Sequence, residues 1–305
     1  MKVFLAPYLS FAPFFIAQEE GYFADQGLQI EFVKMKTSAE AIPALAQGEL
    51  DVAAGTIKTG TLNAMARGAK IKVVADKGYI APTGCTSTAL MARRALAEAG
   101  ELDGPAELQG RRIAIEPPTL EGYYVEKLLN TAGLTLDDVE TVDIPTPAEL
   151  EALEKGTIDL TGTSEPWVTR ILQAGHGVIW MPAQEVIPDL QWALIAYGPT
   201  LLDDNPDAGR RFMVAYLKAV RQYNQGKTER NLELLAEFTG LEQELLTQAC
   251  WLQFRHNGEI NVQSVLDFQA WALEKGFLDR VVTEDQFWDS SFIEHANEVL
   301  GASSQ

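Results

Sequence analysis

Short apolar runs and stretches of helical period take turns along the first half of the chain. Lys2 to Ala6 reads as a strand stopped by Pro7, and Phe14 to Phe23 carries helical spacing up to a stop signal at Gly27. Gln29 to Met35 alternates as a strand. Ser38 is placed to cap a helix whose apolar positions Ala41, Ile42, Leu45 and Ala46 recur at helical spacing and which ends at Gly48. Leu50 to Ala54 is the next strand. This alternation predicts an α/β chain of βαβ units, with a mainly parallel sheet flanked by helices and right-handed crossovers.

The same order returns about a third of the chain later. Arg112 to Ile115 is a strand, Leu120 to Thr131 a helix, and Gly133-Leu134 repeats the Gly27-Leu28 turn. Val139 to Ile144 is a strand, Ala148 to Lys155 a helix ending at Gly156, and Ile158 to Thr161 a further strand. In register, Ala44-Leu45-Ala46-Gln47-Gly48-Glu49-Leu50-Asp51-Val52 matches Ala152-Leu153-Glu154-Lys155-Gly156-Thr157-Ile158-Asp159-Leu160 at Ala, Leu, Gly and Asp. Ala, Leu and Gly are common enough to coincide by chance, but the matching order of elements around them favours an architectural repeat and hence two similar lobes.

Cys85 to Met91 and Gln191 to Tyr197 are extended segments with neither cap nor helical period, and the two chain crossings of a hinge are expected there. The expected division is 1–87 with 195–305 as one lobe and 88–194 as the other. From Pro206 onward helical patterns dominate, over Arg210 to Asn224, Asn231 to Phe238, Leu241 to Leu252 and Val262 to Lys275. This tail is expected to pack on the first lobe.

Charge narrows the partners. Lys and Arg total 24 against 43 Asp and Glu in 305 residues, a net charge of -19, which argues against nucleic acid and against an anionic membrane surface. No apolar run reaches the ~20 residues of a spanning helix, since Val3 to Ala17 is broken by Pro7 and Pro13. The two cysteines, Cys85 and Cys250, can be neither paired nor excluded from pairing by their positions, and buried free thiols are the expected state.

Several chemistries lack their residues. The three histidines, His176, His256 and His295, are scattered, with no metal-ligand spacing, so no structural metal and no cofactor is expected. Gly-x-Ser-x-Gly, the phosphate-binding P-loop and Gly-x-Gly-x-x-Gly after a strand are all missing, and no nucleophile-base pair stands out. Binding without turnover is the favoured reading.

Ligands of open parallel sheets lie beyond the carboxyl ends of the strands, where loops lead into helix N-termini. Those loops are Pro7 to Pro13 and Gly55 to Gly60 in the first lobe, and Glu116 to Thr119 and Thr163 to Trp167 in the second. They bring hydroxyls (Ser10, Thr56, Thr59, Thr119, Ser164) together with rings (Tyr8, Phe11, Tyr123, Trp167), a mixture suited to a flat ligand stacked on aromatics. Lys58, Glu116, Glu165 and Trp192 of the second crossing complete the candidate set. Trp167 serves equally well as a lid on the sheet, whereas for Glu116 and Glu165 a solvated helix-start carboxylate is the commoner fate. Tyr22 and Phe23 sit at the far end of their helix and read as core. A sulfonate or nitrate site would want a forked Arg in the cleft, and none is evident, with Lys58 and Arg67 the cations near the second loop. A neutral or weakly cationic aromatic ligand follows.

The run Ala12-Pro13-Phe14-Phe15-Ile16-Ala17-Gln18-Glu19-Glu20-Gly21-Tyr22-Phe23, then Gln26-Gly27-Leu28-Gln29-Ile30-Glu31 and Ala44 to Val52, resembles the opening of ABC-importer solute-binding proteins. The branch is that for thiamine pyrimidine precursors, riboflavin, taurine and alkanesulfonates. Arg67 to Ala75 and Glu165-Pro166-Trp167 are similar too, and the resemblance extends to about Pro199. It implies a two-lobed type II periplasmic-binding-protein fold, a monomer that closes on a small ligand and docks to a membrane permease. It also implies an extracytoplasmic location, with a leader or lipid anchor expected in the full-length precursor. The cysteine-rich motif of the related fungal pyrimidine synthase is missing, as Cys85 stands alone in Thr83-Gly84-Cys85-Thr86. The favoured cargo is a thiamine pyrimidine or a flavin. The rivals are a sulfonate, taurine or nitrate importer component and an enzyme on the same fold, a pyrimidine synthase or a menaquinone-pathway lyase. The effector half of a transcriptional regulator would need a DNA-binding segment.

Overall fold

The computed structural model describes residues 1–6, 8–35 and 38–301, with only the backbone of Ser38 and Ala39. The chain forms two units. One comprises Met1–Tyr79, Gln191–Gln243 and Gln253–Gln305; the other comprises Ile80–Leu190 and Glu244–Leu252. The sequence predicts exchange points at 87/88 and 194/195, with the whole tail in one lobe. In the structure a short piece of that tail, Glu244–Leu252, belongs with the second unit. A covalent bond ties it there: Cys85 and Cys250, expected to be free, form a disulfide with Cα atoms 5.6 Å apart. No positional signal in the sequence could have brought together two thiols separated by 165 residues.

The first unit holds five strands: β1 (Lys2–Leu5), β2 (Glu31–Lys34), β3 (Val52–Thr56), β4 (Lys72–Asp76) and, from late in the chain, β10 (Ala193–Tyr197). The second holds β5 (Thr88–Arg93), β6 (Arg112–Ala114), β7 (Glu140–Val142), β8 (Leu160–Ser164) and β9 (Gly177–Pro182). The sheet orders are β2-β1-β3-β10-β4 and β7-β6-β8-β5-β9. Position for position they are the same sheet. β1 lies parallel to β2 and β3, as β6 does to β7 and β8, and the fourth strand of each order, β10 or β5, runs antiparallel to both its neighbours. Four strands of each sheet thus run one way, which is the mainly parallel arrangement expected. Both antiparallel strands carry a register shift toward the edge strand, at Ile195/Ala196 and at Leu90/Met91. The segments expected to be bare crossings are therefore the near-central strands β10 and β5, and their apolar character is that of strands buried on both faces.

The sequence repeat has a physical basis in these sheets. Gly48 and Gly156 end their helices at φ 73° and 67°, a left-handed turn that favours glycine. The next two N–H groups fold back on one carbonyl, Glu49 and Leu50 on Ala44, Thr157 and Ile158 on Ala152. The matched aspartates come next. Asp51 Oδ2 accepts the N–H of Lys2 at 2.7 Å, and Asp159 Oδ2 accepts the N–H of Arg112 at 3.0 Å, so each acid caps the first residue of the neighbouring parallel strand. The repeat is scaffold, not site.

Helices fill the faces. The expected helix Phe14 to Phe23 is two, Ala12–Glu19 and Tyr22–Asp25, because Gly21 between them takes a left-handed conformation. The cap assigned to Ser38 lies outside the described side chains, although a helix does start there, Ser38–Ala46. In the first unit Phe14 meets Phe212 and Tyr216 at ring distances of 5.9 and 5.2 Å, packing Ala12–Glu19 on the long tail helix Pro206–Tyr223. No helix of the described residues is long and apolar enough to cross a membrane.

Candidate functional site

In both units the loops singled out from the sequence leave the carboxyl ends of parallel strands, but the side chains in them have different occupations. In the first unit the end of β3, the start of β10 and the end of β4 lie side by side. Thr56 pairs with Ala193, Ile57 donates its N–H to the Trp192 carbonyl at 3.3 Å, and Lys77 donates its N–H to the Ala193 carbonyl at 3.0 Å. Thr56, Trp192 and Lys77 therefore share one edge of the unit. Lys58 is the extended N-cap of the helix Thr59–Ala66, and Thr59 opens it, nearly buried. Ser10 joins them through its hydroxyl, which accepts from Lys77 Nζ at 2.8 Å. Phe11 presents its ring face to the same ammonium at 3.6 Å and is otherwise core, edge-on to Phe4. Tyr8, the residue before the short Leu9–Phe11 turn, is 50% exposed. Pro7, the expected start of this loop, lies outside the described residues.

Lys77 was not among the residues selected from the sequence. It follows a strand and precedes Gly78, where a lysine is ordinarily solvated, yet it is only 1% exposed. Burial pushes its amine well below the ordinary lysine value, opposed by the charge of Asp76. Asp76, the last residue of β4, is engaged elsewhere. Its carboxylate accepts from Gln191 Nε2 at 2.7 Å and from the N–H groups of Gly78 and Arg255 at 2.9 and 2.8 Å. Burial raises it to about 6, held back by those hydrogen bonds and by the Arg255 charge. Gln191, itself buried, accepts from Arg255 Nη1 and from the Asn261 N–H, while Tyr216 donates to the Asp76 carbonyl. This satisfied network ties together the places where the chain leaves and re-enters the first unit, next to Tyr79, Gln191 and Gln253.

In the second unit Ser164 ends β8 opposite Thr88, their hydroxyls 2.9 Å apart. Thr119 caps the helix Leu120–Asn130 with an extended backbone and donates its hydroxyl to the Glu116 carbonyl at 2.6 Å, while the Glu116 side chain is exposed. Tyr123, one turn into the helix, is 3% exposed and is core, with Lys127 over its ring at 5.4 Å. Glu165 accepts from the N–H and hydroxyl of Thr169 at 3.1 and 2.8 Å and from the Cys250 N–H at 2.9 Å. Its carboxylate thus reinforces the disulfide in holding the Glu244–Leu252 segment. Trp167 opens the helix Trp167–Ala174, partly exposed, with the Arg170 guanidinium 4.7 Å over its ring. No group of His, Cys, Asp and Glu among the described residues could hold a metal ion.

The sequence matches the family model described as NMT1/THI5 like over residues 9–225. The chain belongs to this family. A curated relative, a Brucella abortus protein provisionally named a binding protein, is 26% identical over 227 residues, 73% of this chain and 66% of its own length. The match thus spans just under two thirds of that relative. Among solved structures, the zinc-bound ligand-binding component of an ABC-type import system from Staphylococcus aureus superposes with a TM-score of 0.79 at 17% identity, covering 97% of this chain and 98% of its own. The periplasmic nitrate-binding protein NrtA of Synechocystis PCC 6803 gives 0.78 at 15% identity, over 99% and 89%. At such identities the likeness is one of fold, and the fold is that of type II periplasmic binding proteins.

Proposed function

We propose that this family member is the solute-binding component of an ABC importer and that its cargo is a small aromatic heterocycle, a thiamine pyrimidine precursor or a flavin-like vitamin. The observation that carries this reading is the doubled sheet: each unit sends hydroxyls and at least one accessible ring to the carboxyl ends of its parallel strands, Tyr8 and Ser10 in one, Ser164 and Trp167 in the other. The named function of the Staphylococcus aureus neighbour agrees with it. A disulfide is at home in an oxidising compartment, and it supports an extracytoplasmic location. Such a protein works as a carrier beside a membrane permease and returns its ligand unchanged.

A thermal-shift screen over hydroxymethylpyrimidine, thiamine, riboflavin, taurine, alkanesulfonates and nitrate tests the reading. A ligand at about 100 times its Kd stabilises by about 2.7 kcal/mol. One heterocycle producing that shift, recovered intact after incubation, is the expected result; a chemically altered product would make the protein an enzyme. Trp167→Ala is expected to weaken heterocycle binding about tenfold or more with the fold intact, and unchanged affinity would remove this ring from the site.

A further inference from the structure

An ammonium in a protein interior is expensive unless an opposite charge or a full set of hydrogen-bond partners accompanies it. Among the described residues Lys77 has neither. Its one hydrogen bond is to the neutral Ser10 hydroxyl, its other neighbour is the ring face of Phe11, and among the described residues no carboxylate reaches ion-pair distance. The acid next to it in sequence, Asp76, is occupied by Gln191, Gly78 and Arg255. A lysine has three N–H donors, and Ser10 takes one of them. Ser10 is partly exposed, so the pair can be reached from solvent at the hydroxyl, in the loop that closes the carboxyl end of the sheet.

From this geometry we infer that Lys77, presented through Ser10, is the specificity-determining group of the first unit's loops and that it recognises an oxyanion on the ligand, a phosphate, sulfonate or carboxylate. The inference rests on the solute-binding reading and sharpens it: the cargo is a heterocycle bearing an acidic group. It also reverses an expectation drawn from the sequence, that scarce cations among the loops favour a neutral ligand. The amine sits against the ring face of Phe11, and a ligand oxyanion would bring the opposite charge that favours its protonated form.

The test is calorimetric titration of matched pairs, flavin mononucleotide against riboflavin and hydroxymethylpyrimidine phosphate against the free alcohol, with inorganic phosphate, taurine and nitrate as bare anions. Each is titrated into the parent protein, Lys77→Met and Ser10→Ala. Lys77→Met is expected to fold, because replacing a buried charge by an apolar chain of similar length is often neutral or stabilising; Ser10→Ala removes the partner and leaves the lysine. The acidic member of a pair is expected to bind at least about tenfold more tightly than the neutral one. Lys77→Met is expected to erase that preference, and Ser10→Ala to reduce it. A neutral heterocycle that binds equally well, or a preference that survives Lys77→Met, overturns the inference and leaves the solute-binding reading standing. Bare anions binding in a Lys77-dependent way while both heterocycle pairs fail would retain the oxyanion site and overturn the heterocycle cargo. No binding of any probe, with no small molecule retained in native mass spectrometry, would overturn both.

Discussion

The two sheets have one topology, one repeated bulge and one capping aspartate each, yet they bury different chemistry. In the second unit Asp159 is 6% exposed and surrounded by cations: Arg112 reaches it with Nε at 3.1 Å and Nη2 at 2.8 Å, and Arg93 Nη2 stands at 3.8 Å. Burial alone would raise its pKa, but the Arg112 hydrogen bonds and both arginine charges outweigh it and hold the carboxyl below its ordinary value. Its counterpart Asp51 is more exposed and caps the Lys2 N–H. A second contrast runs the other way. Glu149, on the helix Thr146–Lys155, is buried and raised to about 8 by desolvation, with nearby Thr161, Thr163 and Thr146 hydroxyls pulling it back and Glu121 adding to the rise. The matching residue of the first unit is Ala41, plain core. Duplicating a topology therefore duplicates backbone needs, while side-chain charge is free to diverge wherever its own partners diverge with it.

Substitutions that treat the two units alike should expose the difference. Asp159→Ala removes the carboxylate that accepts three hydrogen bonds from Arg112, through its N–H, Nε and Nη2, and is expected to destabilise by about 3 kcal/mol in denaturant unfolding. Asp51→Ala loses one capped N–H and is expected to lose about 1 kcal/mol; equal losses would mean that both acids act only as backbone caps. Next in size is the disulfide. Replacing Cys85 and Cys250 together by serine is expected to remove about 2–4 kcal/mol, and to raise proteolytic cleavage within Glu244–Leu252 ahead of the rest of the chain. Cleavage unchanged there would show that Glu165 and packing suffice to hold the segment.

Glu149 gives a pH signature. Its carboxyl in the folded chain titrates near 8, above its unfolded value of 4.5, so the folded state binds the extra proton between those values. Stability relative to Glu149→Gln should thus be greatest at low pH and fall as pH rises toward 8, by at most about 1.4 kcal/mol per pH unit. Parallel stability profiles for the two proteins would place the acid in a far more polar setting than the fold provides. The smallest expected effect is on Trp167→Ala, whose partly exposed ring and Arg170 contact should contribute less than about 1 kcal/mol to folding. A larger loss would make this tryptophan part of the second unit's scaffold.

Much of the scaffold was readable in the chain itself. Strand and helix periods, the Gly48 and Gly156 stops and the Asp51/Asp159 match are local properties, set by backbone sterics and by acids a fixed distance from the strand they cap. They lead directly to two like α/β units. The loops were readable too, since strand ends are where ligands meet such sheets, but membership in a loop does not fix what a side chain faces. Glu165 looked like a ligand acceptor and is committed to Thr169 and Cys250. Tyr123 and Phe11 looked like stacking rings and are largely core.

What only the tertiary structure decided are the pairings between residues far apart in the chain. Cys85 meets Cys250 because a tail segment lies against the second unit, and β10 enters the first sheet from more than a hundred residues beyond β4. Lys77 is buried because Ser10 and Phe11, from the first loop of the chain, close over the end of β4. Local sequence specifies periodicity and turns through each residue's own backbone and side-chain sterics. Desolvation, and with it the charge state of Lys77, Asp76 and Glu149, is set by neighbours the chain brings together only when it folds.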